Sequence, residues 1–133
     1  MRTPLLLPFL LPFLLLSGSC GDDDGTAADR LGVGAQCTTT DECEQDPVAE
    51  ECLPQFKGGY CGIEACVHDT DCPASSACVA HEDGVNYCFR TCIDKPECNL
   101  HRDLENEANC SSSAVFVDGT MGRKACVPPS AGI

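Results

Sequence analysis

The sequence contains no tryptophan, and only five phenylalanines and two tyrosines supply bulky aromatic side chains. With so few of them, a chain of 133 residues can build only a small hydrophobic core. Folding units below roughly 70 to 80 residues seldom rely on such a core alone. The chain has 13 cysteines, a density typical of a disulfide scaffold formed in an oxidising compartment.

Basic residues are also scarce. Lysine and arginine number 8 against 21 acidic residues, which gives a net charge of −13. So acidic a chain is poorly suited to neutralising phosphates, and we expect neither a nucleic acid partner nor direct electrostatic attraction to anionic lipid. A neutral or basic protein is the kind of partner that this charge favours.

Familiar catalytic motifs are missing as well. The sequence has no Cys-x-x-Cys, Gly-x-Ser-x-Gly or His-Glu-x-x-His. We therefore expect a protein that is not an enzyme and needs no cofactor. His68, His81 and His101 could join cysteines as zinc ligands, but cysteines in an exported chain are more simply explained by disulfides.

Long apolar runs are confined to the N-terminus. After Arg2, an apolar run from Leu5 to Leu16 precedes small residues. It is shorter than the roughly 20 residues that span a membrane, and it contains Pro8 and Pro12. These features predict that residues 1–19 form an export signal peptide.

The end of this segment, Leu16-Ser17-Gly18-Ser19-Cys20, resembles the lipobox of bacterial lipoproteins, although that family usually has an aliphatic residue where Ser17 stands. The resemblance implies that Cys20 carries lipid, becomes the first mature residue and holds the protein to a bacterial membrane, preferably the outer one, facing the periplasm or the exterior. The odd cysteine count supports this reading. Plain secretion is the alternative, because Ser17 and Ser19 also fit the small-x-small rule for cleavage of a secretory signal peptide.

Two terminal segments are expected to be unstructured. Residues 20–36 are acidic, rich in glycine and nearly without large apolar groups, which predicts a flexible tether behind the lipid anchor. Residues 128–133 are predicted to be a disordered tail.

The remaining twelve cysteines divide into three groups of four, and each group opens with five residues between its first two cysteines. The groups consist of Cys37, Cys43, Cys52 and Cys61; Cys66, Cys72, Cys78 and Cys88; and Cys92, Cys98, Cys110 and Cys126. We predict that all twelve form disulfides within their own group. Four cysteines allow three pairings, and we favour first with third and second with fourth, which ties down a hairpin.

An acidic residue stands directly before the second cysteine of every group, at Glu42, Asp71 and Glu97. We expect each carboxylate to accept backbone N–H groups in a turn. A calcium ion held by Asp69 and Asp71 is the alternative, but no complete calcium-loop motif supports it.

Turn signals precede or separate short β-prone stretches in each group: Gly58-Gly59, Asp83-Gly84 and Asp118-Gly119. In the third group, residues 114–117 and 124–127 would be the two strands. The sequence therefore predicts a small disulfide-rich fold with three tandem four-cysteine units at 37–65, 66–91 and 92–127, short β-hairpins and little helix. A short helix is expected within residues 99–109, from Leu100 and Leu104.

The segment Cys66-Val-His-Asp-Thr-Asp-Cys72, with the spacing that continues to Cys98, resembles the N-terminal cysteine-rich region of Dickkopf proteins. It is also similar to repeats of cysteine-rich bacterial lipoproteins. This resemblance implies a scaffold and not a particular partner.

These features predict an exported, lipid-anchored envelope protein that displays a disulfide-rich interaction or structural module. A secreted protease inhibitor presenting Gln55-Phe56-Lys57 on an exposed loop is one alternative function. A metal-binding protein is the other.

Overall fold

The structure, a computed structural model, describes residues 32–43, 48–119 and 122–132. The predicted signal peptide, Cys20 and most of the predicted tether lie outside these residues. The strands are β1 (Glu51–Cys52), β2 (Cys61–Gly62), β3 (Ser76–Ala80), β4 (Asn86–Cys92), β5 (Asn109–Ser111), β6 (Val115–Phe116) and β7 (Lys124–Val127). The helical elements are a single α-helical turn, α1 (Lys95–Cys98), and 3₁₀ turns at Thr40–Glu42, Asp69–Asp71 and Leu104–Asn106. Within the described residues, no helix has the length and apolar character needed to cross a membrane.

The strands form a two-stranded sheet, β1–β2, and a five-stranded antiparallel sheet in the order β5-β7-β4-β3-β6. Strand β4 is the centre of the larger sheet, because its first part pairs with β3 and its end pairs with β7. The turn between β3 and β4 contains Gly84 at a φ of 85°, a conformation that glycine adopts without steric cost. The hairpin predicted from Asp83-Gly84 is thus confirmed.

The third and fourth cysteines of every group face each other across an antiparallel strand pair. The pairs are Cys52 with Cys61, Cys78 with Cys88, and Cys110 with Cys126. Each of these cysteines then bonds to one of the first two cysteines in its group, which lie before and at the end of a short helical turn. Every unit therefore consists of one helical turn joined by two disulfides to one strand pair.

All six disulfides join the first cysteine to the third and the second to the fourth, the pairing favoured from sequence. They link Cys37 to Cys52, Cys43 to Cys61, Cys66 to Cys78, Cys72 to Cys88, Cys92 to Cys110, and Cys98 to Cys126. The expected class, a small disulfide-rich fold with short antiparallel strands and little helix, is confirmed.

The hairpin predicted around Asp118-Gly119 is wrong. Strand β6 pairs with β3, through Val79 and Phe116, and β7 pairs with β4 and β5. The strand pair of the third unit is therefore β5–β7, and β6 lies in the long segment between these strands. Phe116 is only 8% exposed, so burial of its ring beside β3 outweighs the local turn preference.

The three units share one hydrophobic core. Phe56 and Tyr60 of the first unit make edge-to-face contacts with Phe89 of the second, with ring centroids 5.5 and 5.3 Å apart. The buried members of this core are Val33, Leu53, Phe56, Tyr60, Ala77, Val79, Tyr87, Phe89, Phe116 and Ala125. The units are repeats in their covalent pattern but are not independent in their packing.

The folded part begins before Cys37, so the predicted tether boundary at residue 36 is wrong. Val33 and Ala35 are 6% and 5% exposed. The N–H of Gly34 donates to the carbonyl of Cys61 at 2.9 Å, and the N–H of Cys61 donates to the carbonyl of Ala35 at 2.9 Å. Small side chains allow this segment to lie against the core that Tyr60 dominates.

The predicted disordered tail is also wrong for most of its length. The N–H of Lys57 donates to the carbonyl of Pro129 at 2.9 Å, and the N–H of Ala131 donates to the carbonyl of Gln55 at 2.8 Å. Pro128 is buried. The C-terminal segment is thus fixed by antiparallel hydrogen bonds to the first unit.

A helix within residues 99–109 does not form as predicted. Helix α1 ends before Asn99, and Leu104 begins a single 3₁₀ turn. The Asn99 side chain closes this loop by donating to the carbonyl of Ala108 at 2.9 Å and accepting the Ala108 N–H at 2.7 Å. Leu100 and Leu104 are 65% and 84% exposed, so the leucine spacing does not mark a buried helical face.

Candidate functional site

The acidic residues before the second cysteines cap the turns, as predicted. Asp71 accepts the N–H groups of Val67 and His68 at 2.8 and 2.9 Å. The corresponding carboxylates of Glu42 and Glu97 accept backbone N–H groups in the same way. Spacing alone therefore located these three structural carboxylates.

The calcium alternative is not supported by the geometry of Asp69. One of its oxygens accepts the N–H of Cys78 at 3.0 Å, and the other contacts the guanidinium of Arg123 at 2.6 Å. Asp71 turns towards the backbone, as described above. The two carboxylates thus serve the protein's own donors and do not converge on a common point.

The zinc alternative is contradicted by the covalent state of the cysteines. Among the described residues, the groups of His, Cys, Asp and Glu atoms close enough to share a metal consist only of cysteines: Cys37, Cys43 and Cys61; Cys66, Cys72 and Cys88; and Cys92, Cys98 and Cys126. All of these cysteines are in disulfides, so they offer no thiolate. His68, His81 and His101 join none of these groups.

A polar contact joins the turns of the second and third units. The Nδ1 atom of His68 lies 3.0 Å from an Asp118 oxygen, and the other Asp118 oxygen accepts the N–H of Asp69 at 2.8 Å. The hydrogen bond and charge of Asp118 raise the pKa of His68. The pKa of Asp118 is lowered by the backbone N–H of Asp69 and then by His68.

This contact predicts a pH-dependent stabilisation. Because the pKa of His68 is raised in the folded protein, its contribution is complete below about pH 6.5 and is lost as pH rises through the folded value. Because the pKa of Asp118 is lowered, its contribution is lost as pH falls through the folded value. We expect His68→Gln to lower the melting temperature slightly near pH 5 and hardly at all near pH 8. His101→Gln is the control, and an equal decrease at both pH values for His68→Gln would contradict this explanation.

The central residue of the loop proposed for protease inhibition is not exposed. The Phe56 side chain is 1% exposed, and its ring packs edge-on against His81 and Tyr87 at 5.3 and 5.1 Å. A protease could not take this residue into a specificity pocket without dismantling the core. Phe56 is therefore excluded as the residue that this loop would present, whereas Lys57 is exposed and its ammonium donates to the carbonyl of Glu105 at 2.7 Å.

The described part of the molecule contains an open groove of about 470 Å³ beside the large sheet. Three distant segments form it: the end of β3 with the following turn, the strap from β5 to β6, and the C-terminal segment. Its lining residues are Val79, Ala80, His81, Glu82, Phe89, Ser111, Ser113, Ala114, Val115, Val127, Pro128, Pro129 and Ser130. Grooves of this size with apolar walls and few polar groups commonly hold small ligands.

The polar groups of the groove are held in place by other protein groups. The hydroxyls of Ser111 and Ser113 lie 2.9 Å apart. The His81 side chain is only 9% exposed, and its Nδ1 atom contacts Asp83 at 3.1 Å. In the sequence, His81 stands out only as a candidate zinc ligand, and no local motif connects the three segments of the groove.

Comparison of the chain with protein-family models, curated proteins and solved structures gives no match.

Proposed function

We propose that this chain is an exported, lipid-anchored protein of a bacterial cell envelope that displays a disulfide-bonded binding module. The number of cysteines supports the anchoring part of this proposal. Of the 13 cysteines in the sequence, twelve are paired in six bridges within the structure. Cys20 therefore has no cysteine partner left within the chain. Its position directly after an apolar run and small residues suits lipid attachment.

The groove supports the binding part of the proposal. Its two serine hydroxyls contact each other and His81 contacts Asp83, an arrangement that fixes polar groups beside apolar walls. Such a site is suited to holding a ligand in one orientation. A covalently rigid frame reduces the entropy lost when the ligand binds.

Replacement of Cys20 tests the anchoring. We expect the wild-type protein to pellet with membranes and Cys20→Ser to be soluble, because two or three acyl chains are needed for stable attachment and only Cys20 is proposed to carry them. Ser19→Ala keeps a small residue before the cysteine and should still pellet. Mass spectrometry of the mature N-terminus should find a lipid on Cys20.

Two results would overturn the anchoring. One is a wild-type protein that is soluble and has an unmodified N-terminus. The other is Cys20→Ser protein that remains in the membrane fraction, which would require a second means of attachment.

A further inference from the structure

The walls of the groove are apolar where a ligand would lie. Val79 and Phe89 form part of the lining but are 2% and 0% exposed, so they belong to the core beneath the groove and offer a ligand little surface. The exposed apolar surface comes from Ala80 and Val115, which pair directly across β3 and β6, and Val115 is 63% exposed. Pro128 and Pro129 have no N–H group, so this wall provides no backbone donor at those two positions.

The lining of the groove carries one carboxylate and one imidazole, that of His81, which is already in contact with Asp83. Glu82 is the only acidic residue in its lining, and neither lysine nor arginine is among the lining residues. Asp83 lies beside it, in contact with Tyr87 and His81. An anion entering here would find no countercharge and would be repelled, whereas a cation would be attracted to the Glu82 carboxylate.

From this combination of apolar walls, hydroxyl oxygens and a single carboxylate we infer that the groove binds a small organic cation, an ammonium group attached to an apolar body. The apolar body would lie against Ala80 and Val115, and the ammonium would donate to Glu82. Neutral molecules of the same shape would bind more weakly and anions least of all. This inference deepens the proposed binding role and does not depend on the lipid anchor.

Three probes that share one apolar body test the charge preference: 2-phenylethylamine, 2-phenylethanol and 3-phenylpropionate. Each is titrated by two-dimensional NMR into the oxidised mature chain, residues 20–133. We expect the amine to bind with a dissociation constant of about 1 mM or tighter, a reasonable value for so small a ligand. The acid should bind at least about tenfold more weakly, because like charges oppose its entry. The chemical-shift changes should be concentrated at the residues that line the groove.

Variants test the location. Glu82 is exposed, so the Glu82→Gln variant should fold normally. It should weaken binding of the amine by about three- to fivefold, the range expected for one exposed ion pair, and leave binding of the alcohol unchanged. Glu105→Gln, in the 3₁₀ turn outside the groove, is the matched control. Ser113 is also exposed, and Ser113→Trp should fill the groove and reduce binding of all three probes.

The inference is overturned if no probe binds at about 20 mM, a concentration well above the expected dissociation constant. It is also overturned if the acid binds as well as the amine, or if the Glu82 and Glu105 variants behave alike. Because membrane fractionation of the Cys20 variants is a separate measurement, failure of the cation site leaves the anchoring result intact, and the reverse also holds.

Discussion

Arg102→Ala is expected to lower the free energy of unfolding by about 3 to 5 kcal/mol, a large effect for one substitution. The Arg102 side chain is 8% exposed and its guanidinium serves four backbone carbonyls from separate parts of the chain. The acceptors, at 2.7 to 3.2 Å, are Lys57, Gly59, Gly34 and Asn106. Removal of the guanidinium would leave these carbonyls without this donor and weaken the junction between the N-terminal segment and the first and third units.

Two control variants separate this network from a general loss of charge. Arg102→Lys retains the charge but not the planar fork, so we expect it to restore less than half of the lost stability. Lys124→Ala removes an exposed ammonium that donates to one carbonyl, that of Ile93 at 3.1 Å. It should change stability by less than about 0.5 kcal/mol. The measurement is urea unfolding followed by circular dichroism with the disulfides intact. A similar small loss for Arg102→Ala and Lys124→Ala would disprove the network.

Cysteine spacing predicted the covalent frame because disulfide geometry constrains local structure strongly. Cys78 and Cys88 face each other across β3 and β4, and each bonds to a cysteine of the turn that precedes the hairpin, Cys66 or Cys72. The turn carboxylates followed from the same spacing. Both features depend on residues close in sequence, and this is why one sequence sufficed to predict them.

Features that depend on distant residues could not be predicted in this way. Asp118-Gly119 is a turn signal that depends only on neighbouring residues. Phe116 instead pairs with β3, because its ring is buried in the shared core. Phe56 looked like an exposed loop residue between a glutamine and a lysine, yet it lies at the centre of an aromatic cluster formed by two units. The groove also requires three segments that only the complete fold brings together.

The fixed structure at the two ends of the folded part does not follow from composition, for a related reason. Val33 and Ala35 are too small to predict a core on their own, but Val33 packs in the cluster that contains Tyr60, and Ala35 packs among the cysteines of the first unit. The hydroxyl of Tyr60 donates to the carbonyl of Cys126 at 3.2 Å and accepts the N–H of Arg90 at 3.1 Å. The buried Tyr60 side chain thus forms hydrogen bonds to both β4 and β7.

Removal of the bridge between Cys98 and Cys126 is expected to be more damaging than removal of the bridge between Cys92 and Cys110. The first bridge spans 28 residues and the second 18. On the chain-entropy model they contribute about 3.6 and 3.2 kcal/mol, a modest difference. Burial adds to it, because Cys98 and Cys126 are 3% and 0% exposed, whereas Cys92 and Cys110 are both half-buried. Alanines at the buried pair would also leave a cavity against Ala108, within the small cluster of the third unit.

We therefore expect Cys98→Ala with Cys126→Ala to lower the free energy of unfolding by about 4 to 5 kcal/mol, and Cys92→Ala with Cys110→Ala by about 3 kcal/mol. Both double variants leave an even number of cysteines in the described frame, so no thiol is freed to exchange with the remaining bridges. Urea unfolding of the purified, oxidised variants measures the difference, and peptide mapping without reduction verifies the other five bridges. An equal loss in the two variants would mean that loop closure alone determines the stability of the third unit, and that the buried sulfurs contribute nothing through packing.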